Sequence, residues 1–533
     1  MTGQLVSSSR DGQRIDWRHD GMLPVRESSS GVVSGSVSRR YDEDFRVVEL
    51  AVNDAGISYA YDDDGLLTAA GPVVMVRSAT TGQLQTATTG TVTTSYTYDV
   101  YGAPASMETR VGSTVVFREA LTWDDIGRIT AKDVAVQGTS NRWEYAYDSA
   151  SRLSQARRDG QSVGVWAYDG NGNRVSADGV AATFDAQDRQ LTSGAVTFGH
   201  DAFGNRTRKT EGPQVTQYVY DGVGGLLSAT LPDSTRLEYV IDSRGRRVGK
   251  KRNGTLEKGW LYDGQLRIVA EINGSGAVVS RFIYGTLSHS PDVMLRGGVT
   301  YRYVRDVLGS VRLLINVATG QVAQRIDYDS WGAITSDSSP GFQPFGFAGG
   351  LFDLDTGLTR FGARDYDVSA GRWVSKDPIG FASGEANFYA YANNSPTDHF
   401  DPTGLLNLTK LVSSIGNAAN AGRLIAVGVP KLIGAALTSE TVVGGVVLGA
   451  WGLFNLSGAN SAFKRGAQQW REAWDEPCSN STPVNLLGVL PMGTEYDDPW
   501  EPTVTDVAIQ KLRNLRSRSS VVDYLSELAG MSL

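Results

Sequence analysis

Short stretches of alternating apolar and polar residues recur along the first two thirds of the chain. In the commonest unit, an aromatic residue and one further residue precede a Tyr-Asp pair, and a polar stretch with Gly follows, as in Tyr59-Ala60-Tyr61-Asp62. Because side chains alternate along a β-strand, the aromatic-x-aromatic step places both rings on one face. Asp followed by Gly is typical of a turn, in which Asp accepts backbone N–H bonds and Gly takes a positive φ. The pattern therefore predicts β-hairpins.

The unit is repeated in series, mostly at intervals of about 16 to 25 residues, a length that fits two short strands and two turns. The Asp positions of the clearest copies are Asp62, Asp99, Asp124, Asp148, Asp169, Asp185, Asp221, Asp242, Asp263 and Asp329. One hairpin cannot bury its aromatic face alone, whereas neighbouring hairpins can do so together. The repeats therefore predict a long antiparallel sheet in which these tyrosines and aspartates are structural.

A denser segment, residues 342–405, follows the repeats. It contains two Asp-Pro-x-Gly boxes followed by an apolar residue, at 377–381 and 401–405, and the sequence Arg364-Asp365. Two neighbouring carboxylates cannot both ionise cheaply, so they share a proton and can act as base and acid in peptide hydrolysis. A nearby Arg could keep one member ionised or stabilise an oxyanion. Residue types alone equally permit turn-capping roles for these aspartates.

These repeats and boxes resemble the Rhs/YD-repeat family, which is also found in the C components of insecticidal Tc toxins and in teneurins, and 342–405 is similar to its Rhs-associated core domain. The resemblance implies a mainly β fold: YD-repeat antiparallel β-hairpins in a spiralling sheet that forms a complete or partial Rhs shell. It also implies that the core domain is an aspartyl autoprotease, which cuts after the final Asp-Pro-x-Gly-Leu.

Carried onto this chain, the resemblance makes Asp365 and Asp377 the catalytic pair, assisted by Arg364. The scissile bond would be Leu405–Leu406. Asp401 is the alternative partner of Asp377, and Asp367 a weaker one. The cleavage motif itself consists of Asp401, Pro402 and Gly404 before Leu405.

The composition changes after Leu405, where Tyr-Asp pairs end and helical patterns begin. The tail, residues 406–533, is therefore expected to be mainly α-helical. Its apolar, Gly-rich part at 424–457 is compatible with membrane contact, with a helical hairpin held inside the shell, or with a buried core. In the family, this position carries a variable toxic effector, so the tail is the expected cargo. An immunity protein and a secretion apparatus are further expected partners.

The composition limits the kinds of function and site that this chain can have. The formal net charge of −8 and the pI of about 5.3 argue against a nucleic-acid-coating role, which needs a basic face. The chain has one Cys and four widely separated His, without metal-ligand spacing, so we expect no metal and no cofactor. The first 26 residues lack an apolar run, so no classical signal peptide is expected. A protein of this kind would be made in the cytoplasm and secreted or delivered by a specialised system.

The sequence thus predicts four regions: a lead-in at 1–40, a YD-repeat region at 41–341, a core domain at 342–405 and a variable tail at 406–533. The predicted function is encapsulation of a toxin-like effector, its release by autoproteolysis, and a role in interbacterial competition. Turnover of external substrates is not expected. The alternative is a non-catalytic YD-repeat scaffold, adhesion or binding module.

Overall fold

The computed structural model describes residues 4–383 and 386–405. Its main element is a 33-stranded sheet in which each strand pairs antiparallel with the next along the chain, from β1 through β33. The predicted antiparallel repeat sheet is therefore confirmed.

The strands of this sheet follow one another through short turns. The first sixteen are β1 (Ser7–Arg10), β2 (Gln13–Asp20), β3 (Leu23–Ser30), β4 (Gly35–Tyr41), β5 (Val47–Val52), β6 (Ala55–Tyr61), β7 (Leu67–Ala70), β8 (Val73–Arg77), β9 (Leu84–Thr89), β10 (Val92–Tyr98), β11 (Pro104–Val111), β12 (Thr114–Trp123), β13 (Ile129–Val136), β14 (Thr139–Tyr147), β15 (Leu153–Arg158) and β16 (Gln161–Tyr168). The others are β17 (Arg174–Ala177), β18 (Val180–Phe184), β19 (Gln190–Ser193), β20 (Val196–His200), β21 (Arg206–Glu211), β22 (Gln214–Tyr220), β23 (Leu226–Thr230), β24 (Arg236–Ile241), β25 (Arg247–Arg252), β26 (Thr255–Asp263), β27 (Arg267–Asn273), β28 (Val278–Ile283), β29 (Val293–Arg296), β30 (Val299–Arg305), β31 (Val311–Asn316), β32 (Val322–Tyr328) and β33 (Ile334–Asp337).

The sheet starts well before the boundary predicted at residue 41. Strands β1 to β3 and most of β4 lie within 1–40, so this segment is part of the sheet rather than a separate lead-in. Strand β3 reads Leu-Pro-Val-Arg-Glu-Ser-Ser-Ser and has no Tyr-Asp pair. Hydrogen bonding to its neighbours forms this strand without the aromatic signature on which the sequence boundary rests.

The aspartate of most Tyr-Asp pairs organises the turn that follows it, whereas Asp263 binds Arg39 and Arg267. At Asp148, Oδ1 accepts the backbone N–H groups of Ala150 (2.9 Å) and Arg152 (3.0 Å), and Oδ2 accepts Nε of Arg152 (2.7 Å). The corresponding pairs Asp124–Arg128 and Asp185–Arg189 repeat this arrangement. The turn-capping role predicted for these aspartates is confirmed.

The tyrosine of the pair joins its strand to the start of the preceding one. The Tyr147 hydroxyl lies 2.6 Å from the Ile129 carbonyl oxygen, and Tyr168 forms the same 2.6 Å bond to Leu153. In addition, the guanidinium of Arg152 lies over the Tyr168 ring, 4.7 Å from its centroid. These two repeats are therefore linked to their neighbours by a hydroxyl bond as well as by backbone pairing.

A second, four-stranded antiparallel sheet lies within 342–405. Its strands are β34 (Leu351–Phe352), β35 (Leu358–Phe361), β36 (Arg364–Asp367) and β37 (Arg372–Trp373), and short 3₁₀ turns occur at Phe347–Gly349, Gly380–Ser383 and Ala392–Asn394. Its aromatic side chains are buried together, with the Tyr366 and Tyr391 rings stacked at 3.9 Å. Side chains of this segment also bind the repeat turns, as in the 2.7 Å bond from the Tyr389 hydroxyl to the Gly204 carbonyl.

Residues 406–533 lie outside the described residues, and so do the predictions of a helical tail and of membrane contact at 424–457. Within the part of the chain that the structure describes, no helix is long and apolar enough to cross a membrane.

Candidate active site at the end of the core segment

Strand β36 places Arg364 and Asp365 on opposite faces, because side chains alternate along a strand. The Arg364 guanidinium lies over the indole of Trp373 on β37, 4.2 Å from the ring centroid. This contact orients the cation toward the two Asp-Pro-x-Gly boxes. Trp373 was not predicted as a site residue, since an aromatic residue in a core segment carries no specific signal of such a role.

Arg364 binds both box aspartates at once. Its Nη2 lies 2.8 Å from Oδ2 of Asp377 and 3.3 Å from Oδ2 of Asp401. Its Nη1 donates to the carbonyl oxygen of Phe388 (3.1 Å), and its Nε donates to that of Gly404. The three charged side chains are buried. The structure therefore brings Arg364, Asp377 and Asp401 together.

The two boxes form similar turns. Oδ1 of Asp377 accepts the backbone N–H of Ile379 (3.1 Å), and Oδ1 of Asp401 accepts those of Thr403 (3.1 Å) and Gly404 (2.9 Å). In each box one carboxylate oxygen caps the turn while the other faces Arg364. Each aspartate can therefore cap its turn with one oxygen and take part in an active site with the other.

The second box is docked against the β35–β36 turn. The Ala363 N–H donates to the Thr403 carbonyl (2.8 Å), and Gly404 has a φ of +64°. A Cβ at Gly404 would lie 2.4 Å from the Phe361 carbonyl oxygen and 2.8 Å from the Arg364 nitrogen, which only glycine avoids. The Leu405 N–H donates to Thr403 Oγ1 (3.2 Å). The predicted cleavage motif is thereby held beside the carboxylates, while Leu406 lies outside the described residues.

Burial shifts the pKa values of both Asp377 and Asp401. It raises the pKa of Asp377 to about 6, although Arg364 acts in the opposite direction, and the negative charge of Asp401 adds to the rise. Burial also raises the pKa of Asp401, again against the effect of Arg364. Two carboxyls with raised pKa values beside one guanidinium can hold a proton between them near neutral pH. A cavity of about 10 Å³ adjoins both carboxyls, close to the minimum for one water molecule.

Asp365 is not part of this cluster, so the predicted Asp365–Asp377 pair is not formed. Its carboxylate is buried on the other face of β36, 2.9 Å from Nη1 of Arg247 and 2.9 Å from Nη1 of Arg360. Although burial alone would raise the pKa of Asp365, these two cations hold it below its usual value. Asp367, the weaker alternative, also lies on that face, paired with Arg206.

The sequence did contain a signal for the observed pair, because the two boxes share one pattern and Asp377 and Asp401 occupy its equivalent position. Among residues 4–383 and 386–405, no group of three or more His, Cys, Asp or Glu is placed to hold a metal ion.

An antiparallel sheet of Tyr-Asp hairpins, followed by an aromatic core segment with paired Asp-Pro-x-Gly turns, defines a YD-repeat protein. The family model described as teneurin YD-shell matches residues 7–397, and the chain belongs to this family.

Several relatives show how widely this region occurs. Human teneurin-4 is 26% identical over 411 residues, which cover 72% of this chain and 15% of teneurin-4. The tRNA3(Ser)-specific nuclease WapA of Bacillus spizizenii is 28% identical over 297 residues, 52% of this chain and 12% of WapA. The crystal structure of TcdB2-TccC3 without its hypervariable C-terminal region superposes with a TM-score of 0.63 at 18% identity, covering 76% of this chain and 24% of that one. The chain therefore spans a minor part of these longer proteins.

Proposed function

We propose that this protein is an Rhs-type shell protein that hydrolyses its own Leu405–Leu406 bond and so releases residues 406–533. The supporting observation is the convergence of Asp377 and Asp401 on one buried guanidinium, which also binds the Gly404 carbonyl. That carbonyl belongs to the residue directly before Leu405. The same cation thus connects the carboxylate pair to the backbone at the proposed bond.

In the proposed reaction, ionised Asp401 accepts a proton from water, and the water oxygen adds to the Leu405 carbonyl carbon. Protonated Asp377 donates its proton to the carbonyl oxygen. When the tetrahedral intermediate collapses, the C–N bond breaks, a hydroxyl proton returns to Asp377, and the Leu406 nitrogen takes the proton held by Asp401. Arg364 fixes both carboxyls and the backbone, so that the reacting groups need little rearrangement.

The released tail would act as the toxin-like effector, with its own immunity protein, after delivery by a specialised secretion system. Two relatives support this part of the proposal by their names alone: one is a tRNA3(Ser)-specific nuclease, and the TccC3 structure lacks a hypervariable C-terminal region. The change of composition after Leu405 agrees with a variable segment at this position.

The test is the intact mass of purified protein, wild type beside Asp377→Asn and Asp401→Asn. We expect two wild-type species that divide at Leu405–Leu406 and a single full-length species for each variant, with cleavage slowed by at least about 100-fold. Asparagine keeps the Oδ1 acceptor that caps each turn, so loss of the turn is not the expected cause.

Asp99→Asn is the matched control. Asp99 Oδ1 caps a repeat turn by accepting the N–H groups of Tyr101 (2.9 Å) and Ala103 (2.8 Å), at a turn outside the site. This variant should cleave like the wild type. A single full-length mass for the wild type would refute self-cleavage and favour a non-catalytic scaffold, adhesion or binding module.

A further inference from the structure

The repeat sheet contacts the chain just before the cleavage motif. Oδ1 of Asp398 accepts the Ile129 backbone N–H (2.8 Å) and lies 3.0 Å from the Tyr147 hydroxyl. That hydroxyl also lies 3.2 Å from Thr397 Oγ1. Ile129 and Tyr147 belong to the β13–β14 hairpin, 269 and 251 residues before Asp398. A single repeat therefore provides the Ile129 and Tyr147 partners of Oδ1.

Asp398 ends a tight turn that leads into the site. The Ser395 hydroxyl donates to Oδ2 of Asp398 (2.6 Å), and the Asp398 N–H donates to the Ser395 carbonyl (3.1 Å). Only His399 and Phe400 separate this turn from Asp401. Fixing Asp398 consequently fixes the start of a three-residue span that ends at the Arg364 cluster.

We propose that Tyr147 and Asp398 are positioning residues for self-cleavage, because they connect the β13–β14 hairpin to the segment that carries Asp401. This inference rests on the proposed function. Asp401 reaches its place on Arg364 when the hairpin has folded and holds Asp398. Cleavage thereby becomes conditional on formation of a repeat far away in sequence, and an incompletely folded sheet retains its tail.

The chain provides a matched control for the hydroxyl. Tyr168 forms the same 2.6 Å bond to a strand-starting carbonyl as Tyr147 does, on the neighbouring hairpin. Tyr147→Phe and Tyr168→Phe therefore remove equivalent bonds from the repeat sheet. Because a hydroxyl has one proton, Tyr147 shares it between the Ile129 carbonyl and Oδ1 of Asp398, and Tyr147→Phe additionally removes the part that reaches Asp398.

The experiment is a time course of cleavage of the full chain made by cell-free synthesis, with circular dichroism and thermal unfolding of the purified variants. We expect Tyr147→Phe to slow cleavage about tenfold, the effect of one lost hydrogen bond, and Tyr168→Phe to stay within about twofold of the wild type. Asp398→Asn keeps the Oδ1 acceptor and should cleave nearly as fast as the wild type, whereas Asp398→Ala should be slow.

A double-mutant cycle separates positioning from general destabilisation. Tyr147→Phe combined with Asp398→Ala should cleave no more slowly than Asp398→Ala alone, because both changes break the same Tyr147–Asp398 contact. Tyr168→Phe should instead act independently of Asp398→Ala.

Equal cleavage rates for Tyr147→Phe and Tyr168→Phe, or additive effects of Tyr147→Phe and Asp398→Ala, would overturn the positioning role and leave the cleavage proposal standing. An uncleaved wild type would overturn both, and the wild-type sample alone would reveal it. If Asp398→Ala fails to fold, the comparison of the two tyrosine variants still decides the question.

Discussion

At the residue scale, the two box aspartates divide their oxygens between structure and chemistry. Oδ1 of Asp401 caps its turn while Oδ2 lies on Arg364, and Asp377 is arranged alike. Sequence alone could give the residue types and the turn, since Asp-Pro-x-Gly has strong local preferences. It could not give the shared guanidinium, which depends on how the two turns pack together.

Gly404 is the position at which adding one methyl group should reduce self-cleavage most sharply. Gly404→Ala should displace the cleavage motif and reduce self-cleavage by more than about tenfold, since a Cβ would collide with backbone atoms of Phe361 and Arg364. The measurement is the fraction cleaved over time, with circular dichroism as the check on the repeat sheet.

The control for that variant is Gly254→Ala. Gly254 also has a positive φ, +83°, but a Cβ at this position would have nothing within 4 Å of it. Both variants place alanine at a positive φ and so introduce the same type of backbone strain. They differ only in whether the added Cβ collides with neighbouring atoms. Equal cleavage by the two variants would show that docking of the second box is not needed.

The pH dependence of cleavage should follow Asp377. Its pKa is raised by burial to about 6, so the proton that it donates is present below this pH and is lost as the pH rises through it. The rate should therefore fall above pH 6, approaching about tenfold per pH unit because one proton is involved. Quenched time courses after dilution of denatured full-length chain into buffers of different pH would measure this. A rate that rises steadily to pH 9 would rule out Asp377 as the acid.

At the element scale, the alternation of β36 explains why Asp365 does not lie beside Asp377. Proximity in sequence to Arg364 suggests a shared site, but neighbouring residues of a strand face opposite ways. Asp365 pairs with Arg360 on the neighbouring strand β35 and with Arg247 on β25, which lies 118 residues earlier. Hairpins and turn caps were predictable because their partners are near in sequence, whereas the pair with Arg247 is not encoded by any local pattern.

Asp365→Ala should accordingly act on stability. It leaves the buried cations Arg247 and Arg360 without their carboxylate, so we expect a loss of about 3–5 kcal/mol in the free energy of unfolding. Denaturant titration would measure the loss, and the folded fraction should still cleave. A variant of wild-type stability that does not cleave would return Asp365 to the catalytic machinery.

At the scale of the whole described chain, the repeat region was predictable and its contacts with 342–405 were not. Periodicity indicates which strands are neighbours, because each pairs with the next. It says nothing of which repeats bind the core segment. Phe400, for example, packs against His289 with 4.5 Å between ring centroids, and Asp367 pairs with Arg206, 161 residues earlier. Such contacts depend on the path of the sheet as a whole.

Pairing only between successive strands also has an evolutionary consequence. A gene duplication that adds a hairpin before Ile129 lengthens the sheet without changing the spacing between Ile129 and Asp398. An insertion between those two residues must instead preserve the contacts that join the repeats to the core segment. The buried Glu27–Arg246 pair, whose members lie 219 residues apart, places the same requirement on the strands before Ile129. Selection on repeat number is therefore expected to act through the long-range side-chain contacts that join distant repeats.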